Sequence, residues 1–173
     1  MNTPFHTLFL AIQQQLQHEV PALSHIAHDV GQLAEKGRPP VSWPCALIDF
    51  EEFTFSQLAE NVQQATGTIV IRLGFSVCSS TAHRAPTEVK QAAMAGYDTE
   101  WQVHRALQGW HPDAHFAGAL QRTSARTQRR TDGYRVREVR YRLSFDDYST
   151  RYQQGYTAAT LQVVAAINTG TTL

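Results

Sequence analysis

No stretch of about 18 consecutive apolar residues occurs in the chain, which excludes a bilayer-spanning helix and makes a membrane partner unexpected. The opening MNTPFHTLFLAIQQQLQHEV has neither a positively charged start nor a small-residue cleavage site, so synthesis in the cytoplasm is expected. Cysteine is scarce. Cys45 and Cys78 stand far apart without CxxC spacing, each in a strand-like segment where a buried free thiol is the ordinary state. GxSxG, GxxxxGKS and GxGxxG are missing, so nucleophile-elbow, P-loop and dinucleotide-binding folds have no support. His25 and His28 beside Asp29, and His111 and His115 around Asp113, are the candidate metal ligands. Neither set has the HExxH pattern or a companion cluster to close a coordination sphere, and surface histidine is the simpler reading. Asp49, Glu51 and Glu52 offer carboxylates for acid–base work, but a polar strand turn explains them as simply. No catalytic residue, metal or cofactor is expected, and the chain does not read as an enzyme.

Net charge is absent too: 15 Lys and Arg balance 15 Asp and Glu. The balance hides a polarity. Residues 1–86 hold four basic against seven acidic side chains, and the remainder eleven against eight, so the halves carry about −3 and +3. Eight of thirteen arginines lie in one stretch: Arg122, Arg126, Arg129, Arg130, Arg135, Arg137, Arg140 and Arg142. The acids of the first half include Asp49, Glu51, Glu52 and Glu60. Alternation along a strand predicts that the arginines form a basic face or ribbon, suited to carboxylates or phosphates. Two partners fit such polarity, a nucleic-acid backbone or the acidic face of another copy. The second needs no ligand and suits a head-to-tail ring, in which each copy offers one surface and receives another.

At 173 residues the chain is most simply one domain, able to bury roughly 70% of its unfolded surface. Asn2 or Thr3 can cap a helix with Pro4 in its first turn, and Phe5, Leu8, Phe9, Ile12 and Leu16 form its apolar stripe. Leu23, Ile26, Ala27, Val30 and Leu33 predict a second short helical piece. The period then falls to 2, and WPCALIDFEEFTFSQL reads as two short strands around Asp49 to Glu52. After a Gln/Asn-rich link, residues 68–78 read as a strand with one dry face. Residues 88–95 read as a helix that Gly96 punctuates, and Asp98 caps another carrying Trp101, Val103, Leu107 and Trp110, with both tryptophans expected in the core. The arginine stretch reads as two strands joined at Thr131-Asp132-Gly133, with a bulge near Arg137 and Glu138 to reconcile the apolar parity. This order predicts an α+β domain: an antiparallel or mixed sheet packed with flanking helices.

The layout resembles the small tail terminator, or tail completion, proteins of tailed phages and prophages. The resemblance covers approximately residues 5–148. Its carriers are the opening amphipathic helix, the strand TIVIRLGFSV, the helix YDTEWQVHRALQGW and the block FAGALQRTSARTQRRTDGYRVREVRYRLSFDD. The last two match a family habit of a helix ending in LxGW, then a Leu-x-Arg strand and a hairpin.

The resemblance implies a structural virion protein located in the tail and made in a bacterial host's cytoplasm. Such proteins form a homo-oligomeric ring, commonly a hexamer, that caps the tail tube, ends its polymerisation and joins tail to head. The implied partners are the tail-tube protein, a head-completion protein and further copies of the chain, with DNA contact open. Interfaces are then the functional sites, with the eight arginines as a basic face and Asp49, Glu51, Glu52 and Glu60 as an acidic one. Residues 60–67 and 79–86 are candidates to order on assembly. Residues 1–148 make the domain, and 149–173 a strand or extended arm without counterpart in the family pattern. Two alternatives remain: a head–tail connector or other neck protein, and a nucleic-acid-binding module using the Arg122 to Arg142 ribbon.

Overall fold

The computed structural model describes residues 3–34, 39–76, 80–112, 116, 118–128 and 130–149. Cys78, Arg129, the 113–115 segment with His115, and the arm from 150 onward lie outside the described residues. Helix α1 (Pro4–Glu19) forms as its spacing predicts. Thr3 Oγ1 accepts from the His6 N–H at 3.4 Å, and Pro4 fills a position where no N–H is needed. Leu8, Ile12 and Leu16 are fully buried beneath it.

The predicted second helical piece is instead a strand, β1 (His25–His28), parallel to β2 (Cys45–Ala59). Backbone pairing decides this. Ser24 N–H donates to Pro44 and Asp29 N–H to Ile48, while Gly31 at φ +91° turns the chain before a helix could propagate.

The two short strands around Asp49 to Glu52 are in fact one. β2 runs through a bulge where Glu52 and Phe53 oppose the single residue Gly67 of β3 (Val62–Ser76). Glu52 takes φ 47°, which returns Phe53 to the helix side, against Phe5 and Phe145. Its ring lies so close over Gly67 that a Cβ there would come within 2.3 Å. The polar segment 60–67 is likewise no link. Glu60 and Asn61 make a tight turn, and from residue 63 β3 is paired with neighbours on both sides. A two-sided ladder outweighs the polar composition.

α2 (Thr87–Leu107) is a single helix through Gly96 and Asp98. One interior glycine costs only about 1 kcal/mol, too little to break a packed helix. Trp110 packs on the core as expected, but Trp101 is 59% exposed and lies under the Arg105 guanidinium. β4 (Gln121–Gln128) and β5 (Tyr134–Asp147) join through the predicted turn, with Gly133 at φ +78°.

The elements make an α+β fold with one five-stranded mixed sheet in the order β1-β2-β3-β5-β4. Both helices sit on one face over Ile48, Ile69, Ile71, Leu73, Val139 and Tyr141. β5 has no bulge near Arg137 and Glu138, since its register with β3 is unbroken. The parity change has another cause. Val136 belongs to a small second cluster with Leu33, Cys45 and Leu47 on the opposite face, where Tyr134 stacks on Trp43 at 4.7 Å. β5 is therefore covered on both faces at this end.

Tyr141 is fully buried and its hydroxyl has no hydrogen-bond partner among the described residues; desolvation drives its ionisation well above the ordinary range. Tyr141→Phe removes this unpaired group without loss of packing. The variant is expected to unfold at a higher temperature, with a gain of about 1 kcal/mol.

Candidate interface: a charge network across the outer face

Arg72 is the one charged residue in the apolar middle of β3, and it points to the face opposite the helices. There it bonds Asp29, at the end of β1, and approaches Glu138 on β5 at 3.4 Å and Asp49 on β2 at 4.0 Å. Glu138 is the hub. It accepts from Arg126 on β4 at 2.9 Å and from Arg140 on its own strand at 2.8 Å. Arg140 also reaches over β3 to Glu51 on β2, one of its two contacts being 3.2 Å. The network therefore ties β2, β3, β5 and β4, and reaches the residue that ends β1.

The carboxylates of Asp29 and Glu138 are 3% and 5% exposed, so their pairing matters more than that of Arg126, which is 67% exposed. Burial alone would raise the Glu138 carboxyl, yet its bonds to Arg126 and Arg140 hold it below the ordinary range. Hydrogen bonds to Glu51 and Glu138 raise Arg140 in turn.

The structure divides the expected basic face. Arg140 and Arg142 share the outer face, as the alternation predicts, and Arg126 joins them opposite Glu138. Arg135 and Arg137 lie on the helix side. Arg137 forms a two-pronged pair with Glu100 of α2, at 2.6 and 2.8 Å, and bonds Thr127 Oγ1 at 2.8 Å. Arg135 stacks 3.8 Å from the Tyr97 ring centroid. Arg130 is held by Asp132 and the Leu33 carbonyl. Arg122 and Arg142 are exposed and, among the described residues, stand in no ion pair.

The acids behave similarly. Glu51 and Asp49 are engaged by Arg140 and Arg72, whereas Glu52 at the bulge and Glu60 at the hairpin turn are exposed. Part of the complementarity that the sequence set between copies is thus satisfied within one chain. The cause is the strand order, which places β2 and β5 on either side of β3, with only Thr68 and Val70 between the charged arms. Sequence reasoning missed Asp29, Arg72, Glu100 and Glu138 as partners. The signal available was Glu138 inside RVREVRYR, a lone acid among arginines at strand spacing.

His25 and His28 lie three apart on a strand, hence on opposite faces, and Asp29 is committed to Arg72. Among the described residues no three His, Cys, Asp or Glu gather as a metal would require. Burial pushes the Cys45 thiol up to about 11, which leaves it protonated and unreactive at neutral pH. Among the described residues no helix is long and apolar enough to cross a membrane.

No family model matches the sequence, and no curated protein matches it. A solved structure described as a virion of native gene transfer agent (GTA) particle contains a similar chain, with a TM-score of 0.50 and 19% identity. The likeness covers 80% of this chain and 94% of that one, and at this identity it is a likeness of fold.

Proposed function

We propose that this chain is a structural protein of a phage-like virion and acts as a tail terminator. The observation that carries the reading is the shared fold with a chain of a gene transfer agent virion, almost the whole of which is covered. The site chemistry agrees with it. Charged groups are used to lock strands together, and the cleft lined by Asp29, Arg72, Arg126 and Glu138 holds paired ions.

In this reading, copies join head to tail into a ring on the end of the tail tube. The ring covers the surface on which the next tube subunit would add, and its other side meets a head-completion protein. The mechanism is steric and stoichiometric. A symmetric tube raises the effective concentration of neighbouring copies, so a ring that already forms at high concentration in solution closes more firmly on it. The nucleic-acid alternative is weakened, because Arg126, Arg130, Arg135, Arg137 and Arg140 are each already within reach of a carboxylate.

Cells that make the particle without this chain test the role. Tail tubes of uncontrolled length are the expected result. Normal-length tails left unjoined to heads would point to a head–tail connector, and complete infectious particles would contradict both.

A further inference from the structure

Among the described residues the sheet has two unequal open edges. β4 forms one, and all eight of its residues are exposed. Its single irregularity, at Thr123, leaves residues 124–128 regular, and no proline blocks its outer side. The other edge is the distal half of β2. β1 pairs with β2 only as far as Ile48, so no described strand covers the β2 edge beyond it, where residues 54–57 are regular between two irregularities.

The exposed charges at these edges are opposite in sign. Arg122 stands on β4, whereas Glu52 and Glu60 flank the free part of β2. Two β4 edges would therefore repel, as would two β2 edges, and only the unlike pair is favoured. Strand direction agrees: β4 runs antiparallel to β5, β5 to β3 and β3 to β2, so β4 is antiparallel to β2. A neighbour rotated about an axis along the strands would bring the unlike edges together as an antiparallel ladder.

Exposed apolar groups lie beside both edges on the same side of the sheet. Phe55 follows Phe53 by two residues and so shares its helix-side orientation, yet it is 49% exposed. Gln108, the cap residue just after α2, accepts the Arg122 N–H at 2.9 Å, which sets the end of the helix beside β4. His104 of α2 lies near enough to Arg122 to feel its charge, and Trp101, three residues earlier on the helix, is 59% exposed.

We infer that copies of this chain join by adding the free edge of β4 to the distal edge of β2 on the next copy, with Trp101 packing against Phe55. The inference rests on the ring reading and specifies its contact. Large exposed aromatics of this kind supply much of the energy of an interface, and backbone pairing supplies register.

Two variants test it by light scattering. Trp101→Glu disables one surface and Phe55→Glu the other, and because both residues are exposed each variant should melt near the native temperature. Phe55→Ser and Trp101→Ser replace them if the acids disturb the fold. Each variant alone is expected to be a monomer, and an equimolar mixture a one-to-one dimer, since each still carries one intact surface. In assembled native protein, amides of β4 should also exchange more slowly than in either variant alone. If both variants assemble like the native chain, or if their mixture fails to pair, the inference is overturned and the ring reading survives. A native chain that stays monomeric at every concentration overturns both.

Discussion

Replacing Glu138 by Gln is expected to lower the unfolding free energy by about 2–3 kcal/mol at neutral pH. Removing one partner of a buried ion pair costs roughly 3–5 kcal/mol when the other charge is stranded. Here the stranding is partial. Arg72 keeps Asp29, Arg140 keeps Glu51, and Arg126 is exposed enough for water to replace the lost bond. That places the effect below the full range, yet above the 1 kcal/mol or less expected for Arg126→Ala. The pH dependence has a definite sign. The folded state holds the Glu138 carboxyl below its ordinary value of 4.5, so its contribution is complete above that value. The contribution is lost as pH falls through the lower, folded value. Urea titrations of native and Glu138→Gln protein should therefore differ at pH 7 and converge in strong acid. Equal stability at pH 7 would mean that the network contributes nothing net.

Ile71→Ala is expected to cost more, about 3–5 kcal/mol. Ile71 is fully buried on the central strand, and its cross-strand neighbours are Ile48 on β2 and Val139 on β5. Both neighbours are themselves buried and held by their own ladders, so neither can move to fill the space. Whole-domain stabilities are commonly about 5–15 kcal/mol, so the variant should melt far lower or fail to accumulate. A calorimetric midpoint within a few degrees of native would contradict this view of the core.

The helix α1, the turn at Asp132-Gly133 and the dry face of β3 were legible because each is a local pattern: capping, turn chemistry and strict alternation. β1 was not, since four residues become a strand only because β2 presents an edge to them. The length of β2 and β3 was hidden for a similar reason. Residues 60–67 are polar, and their pairing with both neighbours is a property of the sheet rather than of the segment. Gly96 and Asp98 read as boundaries in isolation, but the tertiary packing of α2 overrides them.

The charged residues show the same division. Their abundance and local concentration were plain, and alternation placed Arg140 and Arg142 together. Alternation against Tyr134 and Val136 would put Arg135 and Arg137 on the basic face too if β5 had only one apolar face. Val136 packs into the second cluster, so the contrast pointed the wrong way. Which acid meets which arginine depends on strand order, and no spacing in the sequence encodes it.

The proposed role requires a closed assembly of identical copies, and the mass of the purified native protein in solution decides whether one forms. Light scattering across a wide range of concentration and salt is predicted to show one defined closed oligomer that forms with rising concentration and weakens at high salt. The salt effect should be partial, because the proposed contact also buries Trp101 and Phe55. A monomer at every concentration, or a two-fold dimer that grows no further, would contradict the account.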